Sequence, residues 1–364
     1  MRSGRRPPFL PATVLVAAIL AVLIAAPGCG GGGLEGRTPD ERAVSAAALG
    51  MNGADENVPI LVAAIETEPD VVQGSAITAL GRIGTPAAVA GLAKFAHSEV
   101  TLTRRAVCQA LQDVLPQAYP DAARVLIEVG KSTLPKGPGN DPNMEVRRAA
   151  VTSLAVIQSP LSGEFLTDRA LNDPEEGIRN ASVKTLGRIK ERGAVDALMQ
   201  IYEVDDEKNR AWAIEALGEI GDPRAVPTVI KALSDYHGVT RGKAAWALWQ
   251  LQKAECAGPV QQALAVEQDD MPSIVMAHVL VLSGQPQAIE YIEDQLIRGR
   301  NNMARAEAAR VLGEVGRKES VIALDRAFRE DRDGLVMREA SIAIKKLFEK
   351  YPGSESLVTP PPGS

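Results

Sequence analysis

Arg210-Ala211-Trp212-Ala213-Ile214-Glu215-Ala216-Leu217-Gly218-Glu219-Ile220-Gly221-Asp222-Pro223-Arg224-Ala225-Val226-Pro227 is the clearest copy of a phrase that returns along this chain. It carries an apolar set at helical spacing, Ala213, Ile214, Leu217 and Ile220, and then a stop at Gly221-Asp222-Pro223. A second apolar set follows, with Val226, Val229, Ile230 and Leu233 assigned to one face. Apolar residues three and four apart make one side of an α-helix, and Gly and Pro end it. The phrase therefore encodes two short antiparallel helices, A and B. Its central position is filled in turn by Gly50, Gly81, Gln112, Ala155, Gly187, Gly218, Trp249, Ser283 and Gly313, whose numbers step by 31, 31, 43, 32, 31, 31, 34 and 30. A recurring period of this length marks a solenoid, in which each unit buries its apolar face only against its neighbours. The expected fold is all-α, a right-handed α-solenoid of about nine helix pairs over residues 39–351.

The period breaks once, at the step of 43, and the excess fits residues 131–142. That stretch is rich in Pro and Gly and reads as a loop projecting from one edge, a candidate contact element. Residues 352–364, with Pro360-Pro361-Pro362, show no apolar period and read as a disordered tail.

Residues 1–28 stand apart from the repeats. Arg2, Arg5 and Arg6 precede the apolar run Val14 to Ala26, too short to span a bilayer comfortably and flanked like a secretory signal. Ala26-Pro27-Gly28-Cys29 resembles a bacterial lipoprotein processing site, which implies that Cys29 becomes the lipidated first residue. Ala26 and Pro27 depart from the usual pattern of that site. Residues 29–38, with Gly30 to Gly33, then read as a flexible tether. The localisation this implies is the bacterial cell envelope, lipid-anchored, facing the periplasm or the outside. Gly30 after the cysteine is similar to lipoproteins sent on to the outer membrane.

The repeats resemble the HEAT-repeat superfamily, in its short phycobilisome-lyase-type form. The residues that carry the resemblance are Arg210, Ala213, Ala216-Leu217-Gly218, Ile220 to Pro227 and Leu233, with close copies at Ile178-Arg179…Leu186-Gly187, Ala79 to Pro86 and Val311 to Gly316. The resemblance covers about residues 39–350 and implies a fold far more specifically than a function. Signatures of tetratricopeptide and ankyrin repeats, which have a similar period, are absent.

Composition narrows the function classes. Removal of Arg2, Arg5 and Arg6 with the signal leaves 37 basic against 46 acidic residues, a net charge of −9. Such a chain is repelled by nucleic acid and by anionic headgroups, so no nucleic-acid partner is expected. Aromatics are only 4% of residues, which suits helices packed through Ala, Leu, Val and Ile better than a site that stacks bases or sugars. No catalytic set is legible. His97, His237 and His278 fall in different repeats, no Cys-x-x-Cys occurs, and nucleophile-elbow and phosphate-loop motifs are missing. No metal, cofactor or small-molecule substrate is expected. Cys108 and Cys256 lie about four repeats apart, far beyond the ~7 Å that a disulfide allows, and Cys108 reads as a buried thiol.

Three patterns remain as candidate sites. Acids recur where helix B gives way to the next helix A, among them Asp205, Asp206, Asp235, Asp269 and Asp270. They suit helix N-caps, or else form an acidic edge that attracts a basic partner or cations. Trp212, Trp246 and Trp249 fall in adjacent repeats, numbered five and six, with Tyr202 and Tyr236 near in sequence. They are either core or a partner-binding patch, and Trp249 is too large for the close packing that glycine permits. Finally, Arg42, Arg104, Arg147, Arg179, Arg210, Arg241 and Arg305 share one repeat position and suit pairing between repeats. The function expected is a non-enzymatic, membrane-tethered scaffold that binds a protein or peptide along the helix-B face of repeats four to six. The alternatives are a structural envelope spacer without a dedicated partner or, from the resemblance, a phycobilin-lyase-like accessory protein; those lyases act in the cytoplasm.

Overall fold

The computed structural model describes residues 33–131, 143–204 and 207–358, excepting the side chains of Asn143 and Glu207. The signal and lipidation readings at residues 1–28 and Cys29, most of the 131–142 insertion, and Asp205 and Asp206 lie outside the described residues.

The described residues are helical, with no strand among them. Among the described residues nine A–B pairs follow one another along the chain, and a final helix comes after them. The A helices are α1 (Pro39–Met51), α3 (Asp70–Ile83), α5 (Thr101–Ala110), α7 (Asn143–Ile157), α9 (Glu176–Arg188), α11 (Glu207–Ile220), α13 (Gly238–Gln252), α15 (Asp270–Leu282) and α17 (Asn302–Val315). The B helices are α2 (Val58–Thr67), α4 (Pro86–Ala93), α6 (Tyr119–Lys131), α8 (Gly163–Asn172), α10 (Val195–Val204), α12 (Val226–Ala232), α14 (Ala257–Val266), α16 (Ala288–Arg298) and α18 (Ser320–Glu330). The last helix is α19 (Gly334–Lys350). Counted this way, Trp212 sits in the sixth pair and Trp246 and Trp249 in the seventh, one pair further along than the sequence count places them. The chain divides into two compact units, residues 1–165 and 166–364.

Local chemistry sets the helix ends. Thr38 accepts from the Glu41 backbone N–H at 3.2 Å while the Glu41 carboxylate takes the N–H of Arg37 and Thr38, a capping box at the start of α1. Asp222 ends the loop of the opening phrase by accepting from the Arg224 N–H, and Pro223–Ala225 forms one 3₁₀ turn before α12. Gly221 holds φ +74°, a left-handed conformation that stops α11. Lys190 and Gln158 take positive φ at the ends of α9 and α7, with φ 54° and 47°.

Packing follows the period. Ala213, Ile214 and Leu217 are fully buried and Ile220 nearly so, as the phrase requires. The B set differs at one residue. Ile230 is 38% exposed while Val229 is fully buried, because consecutive helical residues lie about 100° apart around the axis and α12 buries only one face. Helices A approach each other through glycine. A Cβ placed on Gly218 would lie 2.6 Å from Ala247 Cα, and Gly50, Gly81, Gly187 and Gly313 meet the corresponding alanine of the next A-type helix in the same way. Where glycine is absent the contact changes character. Gln112 donates to Ser153 at 2.9 Å, and the Ser283 hydroxyl lies 3.1 Å from Cys256 Sγ.

One boundary needs correction. The sequence places Pro352 to Val358 in a structureless tail, yet Ser354–Leu357 forms a 3₁₀ turn packed against α18 and α19, with Ser354 fully buried. A short turn that covers the end of the last pair needs no apolar period of its own, so periodicity does not register it.

Candidate functional site

The tryptophans are displayed by the A helices of the second unit. Trp249 takes the place that glycine holds in α11 and packs its ring 5.1 Å from that of Trp246, one turn earlier on α13. Trp246 in turn lies 5.6 Å from the buried His278 imidazole on α15. Between the first halves of α13 and α15 opens a groove of about 270 Å³, lined by Val239, Gly242, Trp246, Met271, Pro272 and Val275. Val239 is 63% and Met271 38% exposed, so the floor is apolar and open to water. Helix α11 supplies Glu215 and α13 supplies Lys243 to the rim, joined by an ion pair of 2.8 Å.

Trp212 is held differently. Lys184 Nζ sits 3.4 Å and Lys243 Nζ 4.2 Å from the centre of its ring, cation–π contacts from the helices on either side. Lys253 lies 4.0 Å from the Trp249 ring. Burial pulls the Lys184 ammonium below the ordinary lysine range, Glu215 partly restoring it. Burial pushes the Glu219 carboxyl up, and nearby Glu215 pushes it further.

The two tyrosines do not join this cluster. Tyr202 and Tyr236 flank the Arg210 guanidinium, with ring centres 4.8 and 5.1 Å from its carbon. Tyr202 is buried and its hydroxyl is pushed up to about 12 by burial and by Asp235. Tyr236 is exposed. A partner patch that contains all five aromatics is therefore not what the fold assembles: sequence proximity on a B–A junction does not bring a residue onto the A-helix face.

Three of the described acids at the B–A junctions, Asp235, Asp269 and Asp270, have partners within the chain. Asp235, fully buried at its side chain, pairs with Arg210 and accepts from the His237 N–H, while no side chain caps α13. Asp269 pairs with Arg241 at 2.7 Å, and α15 likewise has no side-chain cap. Asp270 accepts from the backbone N–H groups of Arg300 and Asn301 at 2.8 and 2.9 Å, so it braces the next junction. Asp333, by contrast, caps its own helix, accepting from Leu335 and Val336. Asp235, Asp269 and Asp270 are held by ion pairing and backbone bonding rather than by capping their own helices, while the Asp269 side chain stays 64% exposed. The repeating arginine supplies the partner at the first two of these junctions.

That arginine works in one repeating geometry. Arg104, Arg179, Arg241 and Arg305 each donate to the backbone carbonyls five and six positions before them, for Arg241 at 2.9 Å to Asp235 and 3.2 Å to Tyr236. Arg42, Arg241 and Arg305 also pair with a carboxylate just past the following helix B, Glu68, Glu267 and Asp331, at 2.9, 2.6 and 2.7 Å. Each of these arginines thus ties its helix A to the turn that closes its own pair.

Among the described residues no group of three His, Cys, Asp or Glu side chains could hold a metal. His97 meets Glu128 at 2.5 Å on an exposed surface, and no third ligand joins them. Both described cysteines are free and buried, and burial raises the Cys108 thiol to about 12 and the Cys256 thiol in the same direction. Buried thiols of this kind are poor nucleophiles. No described helix is long and apolar enough to cross a membrane.

The repeat register could have revealed the groove's charged rim. Lys184, Glu215 and Trp246 are spaced by one period, as are Trp212 and Lys243, so they neighbour one another on successive A helices. Met271, Pro272 and Val275 carry no such signal, because the step there stretches to 34 and hides which residues face α13.

The profile of HEAT repeats matches residues 33–131, 139–209 and 200–280, well over half of the sequence. The chain belongs to the HEAT-repeat family. No curated protein matches it. Among solved structures this HEAT-repeat protein is similar to karyopherin Kap121p bound to the extreme C-terminus of the protein phosphatase Cdc14p. The TM-score is 0.56 and the identity 15%, over 96% of this chain and 44% of the karyopherin. It thus spans less than half the length of that relative, and at this identity the likeness shows the fold alone. Looser similarities, both with TM-score 0.32, connect it to human deoxyhypusine hydroxylase (18% identity, 81% of this chain and 97% of that one) and to the CpcE–CpcF complex of phycocyanin lyase from Nostoc (17%, 70% and 97%). They carry no weight for function.

Proposed function

We propose that this HEAT-repeat protein is a non-enzymatic scaffold that seats a protein segment in the groove between α13 and α15. The observation that carries the reading is the groove itself. Its apolar floor lies open to solvent beside two tryptophans in ring contact, on the helix where Trp249 replaces the glycine of the A-helix contact. Tryptophan is the residue type that most often dominates binding energy at interfaces. This reading puts the site on helices A rather than on the helix-B face expected from the sequence. Kap121p, which shares the fold, is seen bound to a segment of Cdc14p and to Pho4p, so a solenoid of this type can hold a peptide.

Tethering is a second part of the proposal. Arg2, Arg5 and Arg6, the apolar run to Ala26 and Cys29 support a lipid anchor in a bacterial envelope, with Gly30–Gly33 as spacer. Metabolic labelling with a tritiated fatty acid tests it: label lost in Cys29→Ala supports the anchor, and an unlabelled wild-type chain overturns it. For the groove, a photocrosslinking amino acid at Met271 in the full chain, in its native cells, should yield a discrete protein adduct that Trp246→Ala abolishes. No adduct, or one unaffected by Trp246→Ala, refutes the binding site and favours a spacer.

A further inference from the structure

Resting on that reading of the groove, we propose that its occupant is an acidic amphipathic segment, an apolar anchor flanked by carboxylates. The groove's volume of about 270 Å³ lies just under the ~300–1,000 Å³ of typical small-molecule sites, and it is open to solvent. It accommodates a few apolar side chains of a longer chain rather than a whole cofactor.

Charge decides what flanks them. Lys184 and Arg188 of α9, Lys190 just beyond it and Lys243 of α13 gather around only two acids, Glu215 and Glu219, whose electrostatic partners they are. The strip is net positive by two in a chain that is net negative by six. Glu215 is already engaged by Lys243. Glu219 is half-buried beside Glu215, and that setting disfavours its charged form. At the other end, Asp269 lies close to Gly238 but is taken by Arg241. Around His278, Arg310 of α17 bonds Glu307 and Glu314, closing that flank. Toward α9 the cations thus exceed the acids, whereas at each of the other two flanks one arginine answers two acids, Arg241 for Glu267 and Asp269 and Arg310 for Glu307 and Glu314. A ligand carboxylate would complete the set, and the partly desolvated Lys184 beside Trp212 strengthens the attraction because less water must be displaced. This is the opposite sign to the basic partner that an acidic edge would select.

Three synthetic peptides with the same leucine and phenylalanine anchor, and with Glu, Gln or Lys at the flanking positions, test the idea. Each is titrated into the full chain in detergent and followed by the fluorescence of Trp246 and Trp249. The Glu peptide should bind about tenfold more tightly than the Lys peptide, with Gln between, and the difference should shrink as salt rises. Arg188→Glu with Lys190→Glu changes exposed side chains only, so it leaves the fold intact; it should narrow the gap several-fold. Lys243→Glu should narrow it further, with thermal melting as the control for folding. Equal binding of Glu and Gln peptides, or no response to Arg188→Glu with Lys190→Glu, overturns the acidic partner while leaving the groove as a binding site. Tighter binding of the Lys peptide overturns it too. If no peptide perturbs the tryptophans, the groove reading itself falls.

Discussion

Replacing Arg241 by leucine removes a heavily bonded member of the arginine series. Its guanidinium makes three bonds to carboxylates, at 2.6 Å to each oxygen of Glu267 and 2.7 Å to Asp269. Two more go to the carbonyls of Asp235 and Tyr236. The Glu267 carboxylate is only 2% exposed, so the substitution strands a buried anion. Losing one partner of a buried pair costs about 3–5 kcal/mol. Glu267 keeps its bonds from the Gln268 and Asp269 N–H groups, which places the loss at the lower end, about 3 kcal/mol. Trp246 and Trp249 lie on the same helix as Arg241 and Trp212 on the A helix before it, so urea unfolding followed by their fluorescence reads the affected pairs. With a urea dependence of about 3 kcal/mol per molar, the midpoint should fall by about 1 M. Arg241→Leu combined with Glu267→Leu removes the stranded charge and should recover at least ~1 kcal/mol of it. A midpoint shift below ~0.3 M, or a double variant as weak as the sum of the two singles, would refute the junction tie as a source of stability.

Gly218→Val should destabilise by about 1–3 kcal/mol, since its Cβ would intrude on Ala247 Cα at 2.6 Å; an unchanged melting temperature would contradict the close A-helix contact. Lys190→Gly relieves a positive φ of 54° and should stabilise by about 1 kcal/mol, measured as a rise in the urea midpoint. Ellman's reagent should modify neither Cys108 nor Cys256 in the native state and both in urea, because burial keeps each thiol protonated and out of reach. Stability should decline on acidification in two stages. Burial depresses the His278 imidazole, so its contribution is full above the unfolded value near 6.5 and is lost as pH falls below it. Burial raises Glu267, but the bonds and charge of Arg241 more than offset this and hold it low; Arg305 does the same for Asp331. Those two contributions are present above about pH 4 and disappear below it. His278→Gln should flatten the first stage alone, and an unchanged profile would remove His278 from the account.

The helix pairs, their number and their inward apolar faces are legible in the residues alone. They depend on neighbours within one or two turns and on a period that any window of the chain displays. Gly218, Gly221 and Pro223 state locally where a helix stops and where another can touch it. What the repeated polar residues do is settled only by packing. Arg241 and Glu267 belong to opposite ends of one helix pair, and only the return of helix B brings them within 2.6 Å. An acid at such a junction looks the same in sequence whether it caps a helix, faces solvent or answers an arginine. The groove is equally hidden. Trp246 and Trp249 stand out as unusual, but their apolar floor comes from Met271, Pro272 and Val275 on the next A helix, where the period stretches and loses its register. Periodicity reports which residues point inward; it takes the packed helices to show where two of them stand open to a partner.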